Sequence, residues 1–150
     1  MLSGEITIRV RYAETDRMGL LHHANYLVYF EQGRTELLRS QGLVYKDLED
    51  QGYLLVLTHV DVRYRSPGRY DDLLTLRTIV ERVTAVRIDH RYELLRDGVL
   101  LAEGKSTLAC ISREGRVQPL PDYLRENPES RNPVSRRNRL SRGLCKGMPW

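Results

Sequence analysis

Cysteine is scarce in this chain. Cys110 and Cys145 are the only two among 150 residues, which is no disulfide framework and lacks the paired spacing of a zinc site. A reducing, cytoplasmic compartment is expected. Long apolar runs are missing too. None approaches the ~18 residues that span a bilayer, and the opening MLSGEITIRV has neither the basic end nor the apolar centre of a secretory signal. Three familiar catalytic signatures are absent: G-x-G-x-x-G, G-x-S-x-G and H-E-x-x-H. Gly98–Ser106, GVLLAEGKS, looks like a phosphate-binding loop, but five residues separate Gly98 from Gly104 where the motif has four, and the stretch has a strand pattern. Nucleotide hydrolysis is set aside on that ground.

What is present has the composition of one soluble domain, with 41% hydrophobic and 29% charged residues. A chain of this length buries roughly two-thirds of its unfolded surface and needs no staples. The net charge of +4 is unevenly placed. Residues 129–150 hold Arg131, Arg136, Arg137, Arg139, Arg142 and Lys146 against Glu129 alone, so residues 1–128 carry a net −1. The folded part gives no electrostatic case for nucleic acid.

The order of elements follows from period and punctuation. Glu5–Tyr12 alternates, with Ile6, Ile8, Val10 and Tyr12 on one face, as a half-buried strand does. A polar loop, AETDRMGLLHHAN, follows. Leu27, Phe30, Leu37 and Leu38 then recur at helical spacing, with Asn25 as expected N-cap and Gly42 as stop. Gly33 inside that helix implies close packing on its face. A short helix is expected over Val44–Gln51. Four strands follow: Leu55–Arg65, Leu73–Val83, Arg87–Leu95 and Val99–Ile111, separated by Ser66-Pro67-Gly68, a short break, and the hairpin signal Asp97-Gly98. The expectation is an α+β domain over residues 1–126, a helix on an antiparallel meander. Residues 127–150, rich in Arg, Asn, Ser and Pro, are expected to be a flexible basic tail.

The histidines give no metal site. His22 and His23 are adjacent and no ligand set completes them, while His59 and His90 read as ordinary strand residues. Asp16 lies in a loop running from a strand towards a helix start. Free N–H groups there can stabilise an oxyanion, and a nearby carboxylate can act as nucleophile or base. The plainer reading of Asp16 is a turn or cap residue. Both stay open on the residues alone.

Arg9–Arg39, RVRYAETDRMGLLHHANYLVYFEQGRTELLR, resembles the opening signature of the hotdog-fold acyl-CoA thioesterases, above all the 4-hydroxybenzoyl-CoA thioesterase family and its relatives of the Tol–Pal cluster. The matching positions are Tyr12, Thr15, Asp16, Gly19, His23, Asn25, Tyr26, Glu31 and Arg34. VDVRYRSPGRYDD resembles the family's strand and turn after the helix. Arg17-Met18 and His22 depart from the pattern and bear on acyl preference. The resemblance implies a long helix wrapped by a curved antiparallel sheet, and hydrolysis of an acyl-CoA in a homodimer or homotetramer. Asp16 would be the catalytic carboxylate, and the backbone N–H of His23 would polarise the thioester carbonyl. Asn25 and Tyr26 would border the substrate as cap and packing residues, with Glu31 a rival carboxylate. Arg63, Arg65 and Arg69 would meet the phosphates of coenzyme A. No metal or bound cofactor is implied. A non-catalytic acyl-CoA-binding module and a hotdog dehydratase are the alternatives.

Deleting residues 129–150 is expected to leave folding and turnover nearly intact, because the stretch has no apolar period. Melting, gel filtration and assay of the truncated chain check this; misfolding or a changed oligomeric state would make the segment structural.

Overall fold

Asp97 and Gly98 both have positive φ, 50° and 76°, the backbone that a two-residue type I′ hairpin requires. They join the last two strands of a single antiparallel sheet in a computed structural model that describes residues 2–126. The segment expected as a tail, residues 127–150, lies outside the described residues. The elements are β1 (Ser3–Arg9), a 3-10 turn (Tyr12–Glu14), α1 (Asn25–Ser40), α2 (Tyr45–Asp50), β2 (Leu54–Tyr64), β3 (Leu73–Val83), β4 (Arg87–Arg96), β5 (Val99–Ile111) and α3 (Asp122–Arg125).

The strand order is β1-β3-β4-β5-β2, antiparallel throughout. The expected four-strand meander is therefore corrected: β3, β4 and β5 form one, but β2 lies at the far edge beside β5. Period-two alternation tells which face of a strand is buried and is blind to its neighbour. The connection over residues 65–72 is no hairpin. The Arg65 and Ser66 N–H groups donate to the Leu101 carbonyl (2.7 and 3.0 Å), and Asp71 N–H donates to Val10 (3.0 Å). The chain thus crosses the end of the sheet before β3 begins.

α1 packs on the concave face through Tyr26, Tyr29, Phe30, Gly33 and Leu37, against Leu74, Leu76, Tyr92, Leu94 and Leu101. That stripe differs from the expected one by a rotation. Leu27 is 37% exposed and Val28 47%, because Tyr26 and Tyr29 reach deeper and take the buried positions. Asn25 is the first helical residue and Ala24 the cap position. Tyr12 has left the strand and is exposed. α3, which covers one end, carries too short a pattern to be read from the sequence.

Two glycines set the distance between helix and sheet. A Cβ at Gly33 would lie 2.3 Å from Thr78 Oγ1 and 2.7 Å from Leu76 Cδ2; one at Gly104 would lie 2.5 Å from Phe30 Cε2. Phe30 then stacks on Tyr92 at 4.2 Å with planes 6° apart. The convex face is polar, with Arg77 bridging Glu5 (2.9 Å) and Glu93 (3.0 Å), and Arg91 bridging Glu93 and Glu81. Such solvated pairs stabilise little, but they keep that face out of the core.

Gly33→Ala discriminates packing from propensity. Alanine favours a helix by ~1 kcal/mol over glycine, whereas overpacking costs about 1–3 kcal/mol. Urea unfolding is expected to show net destabilisation; a stabilised variant would mean the helix has room to lift.

Candidate functional site

The segment between β1 and α1 is organised around one buried carboxylate. Glu14 is 5% exposed. Its Oε1 accepts the Arg11 N–H (2.8 Å) and the Tyr29 hydroxyl (3.0 Å). Its backbone carbonyl accepts the His22 N–H and the Asn25 side-chain amide, both at 2.9 Å. Burial by itself would raise the Glu14 pKa, but the Arg11 N–H, the Arg11 guanidinium and the Tyr29 hydroxyl together hold it below the ordinary carboxylate value. Burial, and then the Glu14 carboxylate beside it, push the Tyr29 phenol up.

Immediately beyond Glu14 the chain makes a small loop closed by the Thr15–Leu21 bridge. Asp16 sits in it. Its N–H donates to the Leu20 carbonyl (2.8 Å), and its Oδ1 accepts the N–H groups of Met18 (2.8 Å) and Leu20 (3.2 Å). Gly19 completes the turn at φ 77°. One carboxylate oxygen is thus the turn acceptor that the plainer reading expects. The other, Oδ2, has no protein partner among the described residues.

His23 stands two residues before α1. Its N–H has no protein acceptor among the described residues, its carbonyl accepts the Tyr64 hydroxyl (2.9 Å), and its ring stacks on His22 at 4.1 Å. Tyr64 meets Tyr26 edge-on at 4.8 Å. The crossing connection closes the arrangement from the other side: Leu21 N–H donates to the Gly68 carbonyl (2.7 Å), and Leu20 bridges Arg69. The result is an open cavity of about 360 Å³ bordered by Asp16, His23, Tyr26, Tyr64 and Arg65.

Of the residues singled out in the sequence, Asp16, His23, Tyr26 and Arg65 therefore come together. Asn25 is turned to the Glu14 carbonyl and holds the loop. Arg69 lies beside Leu20, and Arg65 pairs with Glu103 (2.5 Å). Arg63 lies elsewhere, on the convex face near Arg91 and Lys105. Glu31 lines a different cavity, with Arg34 and His90. Two residues went unread. Glu14 carries no local mark of burial beyond following Arg11 by three positions, and Tyr64 looked like an ordinary strand residue. Among the described residues no group of three His, Cys, Asp or Glu could hold a metal, and no helix is long and apolar enough to cross a membrane.

Comparison with known proteins bears on the family and the fold. The family model described as the thioesterase-like superfamily matches residues 10–127. The chain belongs to that superfamily. It is 35% identical over 108 residues to YneP of Bacillus subtilis, covering 71% of this chain and 78% of that one. It is 32% identical over 114 residues to the acyl-CoA thioesterase YbgC of Haemophilus influenzae, covering 75% and 83%. A solved structure of a hypothetical protein from Aquifex aeolicus superposes with a TM-score of 0.78 at 28% identity, covering 81% of this chain and 95% of that one. The thioesterase-like domain here is α+β with the hotdog arrangement, a long helix on a curved antiparallel sheet.

Glu14→Ala leaves the Tyr29 hydroxyl and Arg11 N–H without their acceptor. A loss of about 3 kcal/mol is expected from two such orphaned groups, read by equilibrium denaturation. Because the folded pKa of Glu14 is lowered, the charge-dependent part of its contribution is complete above the unfolded value near ~4.3 and is lost as pH falls through the folded value. The gap between wild type and variant should narrow in acid; a constant gap would deny the carboxylate its charge-dependent role.

Proposed function

We propose that this thioesterase-like domain hydrolyses acyl-CoA to free acid and coenzyme A, with Asp16 as nucleophile or general base and the His23 N–H as oxyanion donor. The observation that carries the reading is the meeting of an Asp16 oxygen free of protein partners and an unaccepted His23 N–H at one cavity beside the start of α1. The likeness to YbgC, an acyl-CoA thioesterase, supports the substrate class.

The chemistry needs little else. A thioester carbonyl accepts the His23 N–H, at the end of the helix where the dipole favours negative charge. Asp16 attacks the carbonyl carbon, or removes a proton from the water that does. Either way the carbonyl oxygen gains charge in the transition state, where a fixed donor acts most strongly. Collapse expels the thiolate of coenzyme A. After direct attack, water hydrolyses the resulting anhydride and regenerates Asp16. The Oδ1 bonds from Met18 and Leu20 hold the carboxylate in one orientation throughout. A dehydratase would instead need a His ring paired with a carboxylate. The His23 ring stacks on His22 and bonds no carboxylate among the described residues.

For the coenzyme A phosphates the reading takes Arg65, which borders the cavity, and Arg69, whose backbone bridges Leu20; Arg63 is the weaker member of the set, since it lies beside Arg91 and Lys105. A homodimer or homotetramer is the proposed assembly. The edge strand β2 and the exposed apolar residues Leu27, Val28 and Leu57 support it.

The test is a panel of short, medium, long and aromatic acyl-CoAs with chelator present. Wild type is expected to release thiol from at least one. Asp16→Asn should lower kcat by at least ~10²-fold while an uncleavable acyl-CoA analogue still binds, and Glu31→Gln should cost far less. Near-wild-type turnover of Asp16→Asn would overturn the mechanism, and inactivity of the folded wild type on the whole panel would overturn the reaction. Light scattering of the same samples should show no monomer.

A further inference from the structure

Two aromatic side chains to which the proposed reaction assigns no role meet at the peptide unit after His23. The Tyr64 hydroxyl donates to the His23 carbonyl (2.9 Å). His22 Nδ1 accepts the N–H of Ala24 (3.1 Å). That carbonyl and that N–H are the two polar ends of one planar unit, so side chains hold it at both ends. α1 begins only at Asn25, so no helical hydrogen bond does this work.

The neighbouring units are held by backbone. The His22 N–H donates to the Glu14 carbonyl (2.9 Å), and the His22 carbonyl accepts the Asn25 N–H (3.0 Å). The His23 N–H lies between these anchors and has no protein acceptor among the described residues. A peptide unit turns only through the dihedrals on either side of it. With the units before and after it pinned, the unit that carries the His23 N–H keeps one direction.

Both side chains are themselves supported. Tyr64 ends β2, where it pairs with Ala102 of β5, and Tyr26, 2% exposed, meets its ring edge-on at 4.8 Å. Burial raises the Tyr64 pKa, so the phenol keeps its proton and stays a donor. The His22 ring stacks on His23 at 4.1 Å. Its Nδ1 accepts only when unprotonated, which puts the ring proton on Nε2.

We propose that Tyr64 and His22 are positioning residues that aim the His23 N–H at the thioester oxygen. The assignment rests on the reaction proposed above. Each side chain acts through the peptide after His23. A donor fixed beforehand needs no reorganisation as charge develops; losing such a donor outright costs ~10²–10³-fold in kcat, and leaving it free to swing costs less, about tenfold.

Kinetics on the acyl-CoA that the wild type cleaves best, together with NMR of the free protein, test the assignment. Tyr64→Phe keeps the ring against Tyr26 and removes only the hydroxyl. It is expected to lower kcat about tenfold and to leave KM nearly unchanged, the mark of an interaction made in the transition state. At His22 two substitutions separate hydrogen bonding from stacking. His22→Asn keeps an acceptor for the N–H two residues on and gives up the ring; His22→Phe keeps the ring and gives up the acceptor. The Asn variant is expected to stay near wild type and the Phe variant to lose kcat about tenfold. In the unsubstituted protein the imidazole nitrogen shifts of His22 should show Nδ1 bare, and the Ala24 amide should exchange with solvent more slowly than that of His23. Wild-type kcat in Tyr64→Phe, a His22→Phe protein more active than His22→Asn, a proton on His22 Nδ1, or an Ala24 amide no slower than that of His23 would each overturn the proposal. The last two need no variant and no substrate. An inactive wild type would therefore strike the reaction, while the hold on the peptide after His23 is decided separately.

Discussion

The buried Glu14 carboxylate is the constraint on which the rest of the site depends. An ionised side chain in a nearly water-free position persists only if every lone pair is answered, and here Arg11, Tyr29 and the Arg11 backbone answer it. Those partners come from the end of β1 and from one turn inside α1. Holding them together fixes where the strand ends, where the helix begins, and how the fifteen residues between must bend. The Glu14 carbonyl, by taking His22 N–H and the Asn25 amide, carries the same constraint to the helix start. Asp16 and His23 are thereby set on either side of one opening. Neither is held by the other.

The second determinant is the close approach of α1 to the sheet. Gly33 and Gly104 remove the two Cβ atoms that would hold the layers apart. Aromatic side chains fill the space this creates near the helix start, where Tyr26, Tyr29 and Phe30 meet the sheet. Farther along the helix the aromatic filling ends, and Arg34, His90 and the small polar groups of Thr78 and Ser106 occupy the same layer. One helix thus borders two unlike openings: a wet one beside its N-terminus, rimmed by Asp16 and Arg65, and a drier one beneath its middle, where a cation waits without a counter-charge. The two openings differ in what they present: a free Asp16 carboxylate oxygen and an unaccepted His23 N–H at the first, and at the second a guanidinium with no carboxylate at ion-pair distance among the described residues.

Several features were legible before any coordinates. The alternation of Ile88, His90, Tyr92 and Leu94 appears unchanged as the buried face of β4. The Asp97-Gly98 hairpin and the close contact at Gly33 appear as expected, and the family resemblance over Arg9–Arg39 is matched by membership of the thioesterase-like superfamily. Other features were not. Asn25 reads as a cap in isolation, and it is Glu14, eleven positions earlier, that draws its side chain away. Leu27 looks like core, and Tyr26 and Tyr29 displace it because their rings reach farther into the layer. Arg63, Arg65 and Arg69 are indistinguishable along the chain; only the crossing connection, tied to Leu21 and Val10, brings Arg65 to the cavity and leaves Arg63 on the convex face.

What the sequence determined by itself is therefore the set of properties that act over a few residues: strand and helix periods, turn chemistry, the separation of the basic C-terminal stretch from a nearly neutral domain, and the local motif around Asp16. What only the tertiary structure decided depends on residues far apart in the chain. The position of β2 beside β5, the burial of Glu14 against Tyr29, the Tyr64 hydroxyl on the His23 carbonyl and the orphaned Arg34–His90 pair all belong to this second group. Local propensity and alternation are energies of neighbouring residues. Strand order, burial and counter-charge are properties of the packed whole, in which Arg34 and Tyr92, 58 positions apart, become hydrogen-bond partners.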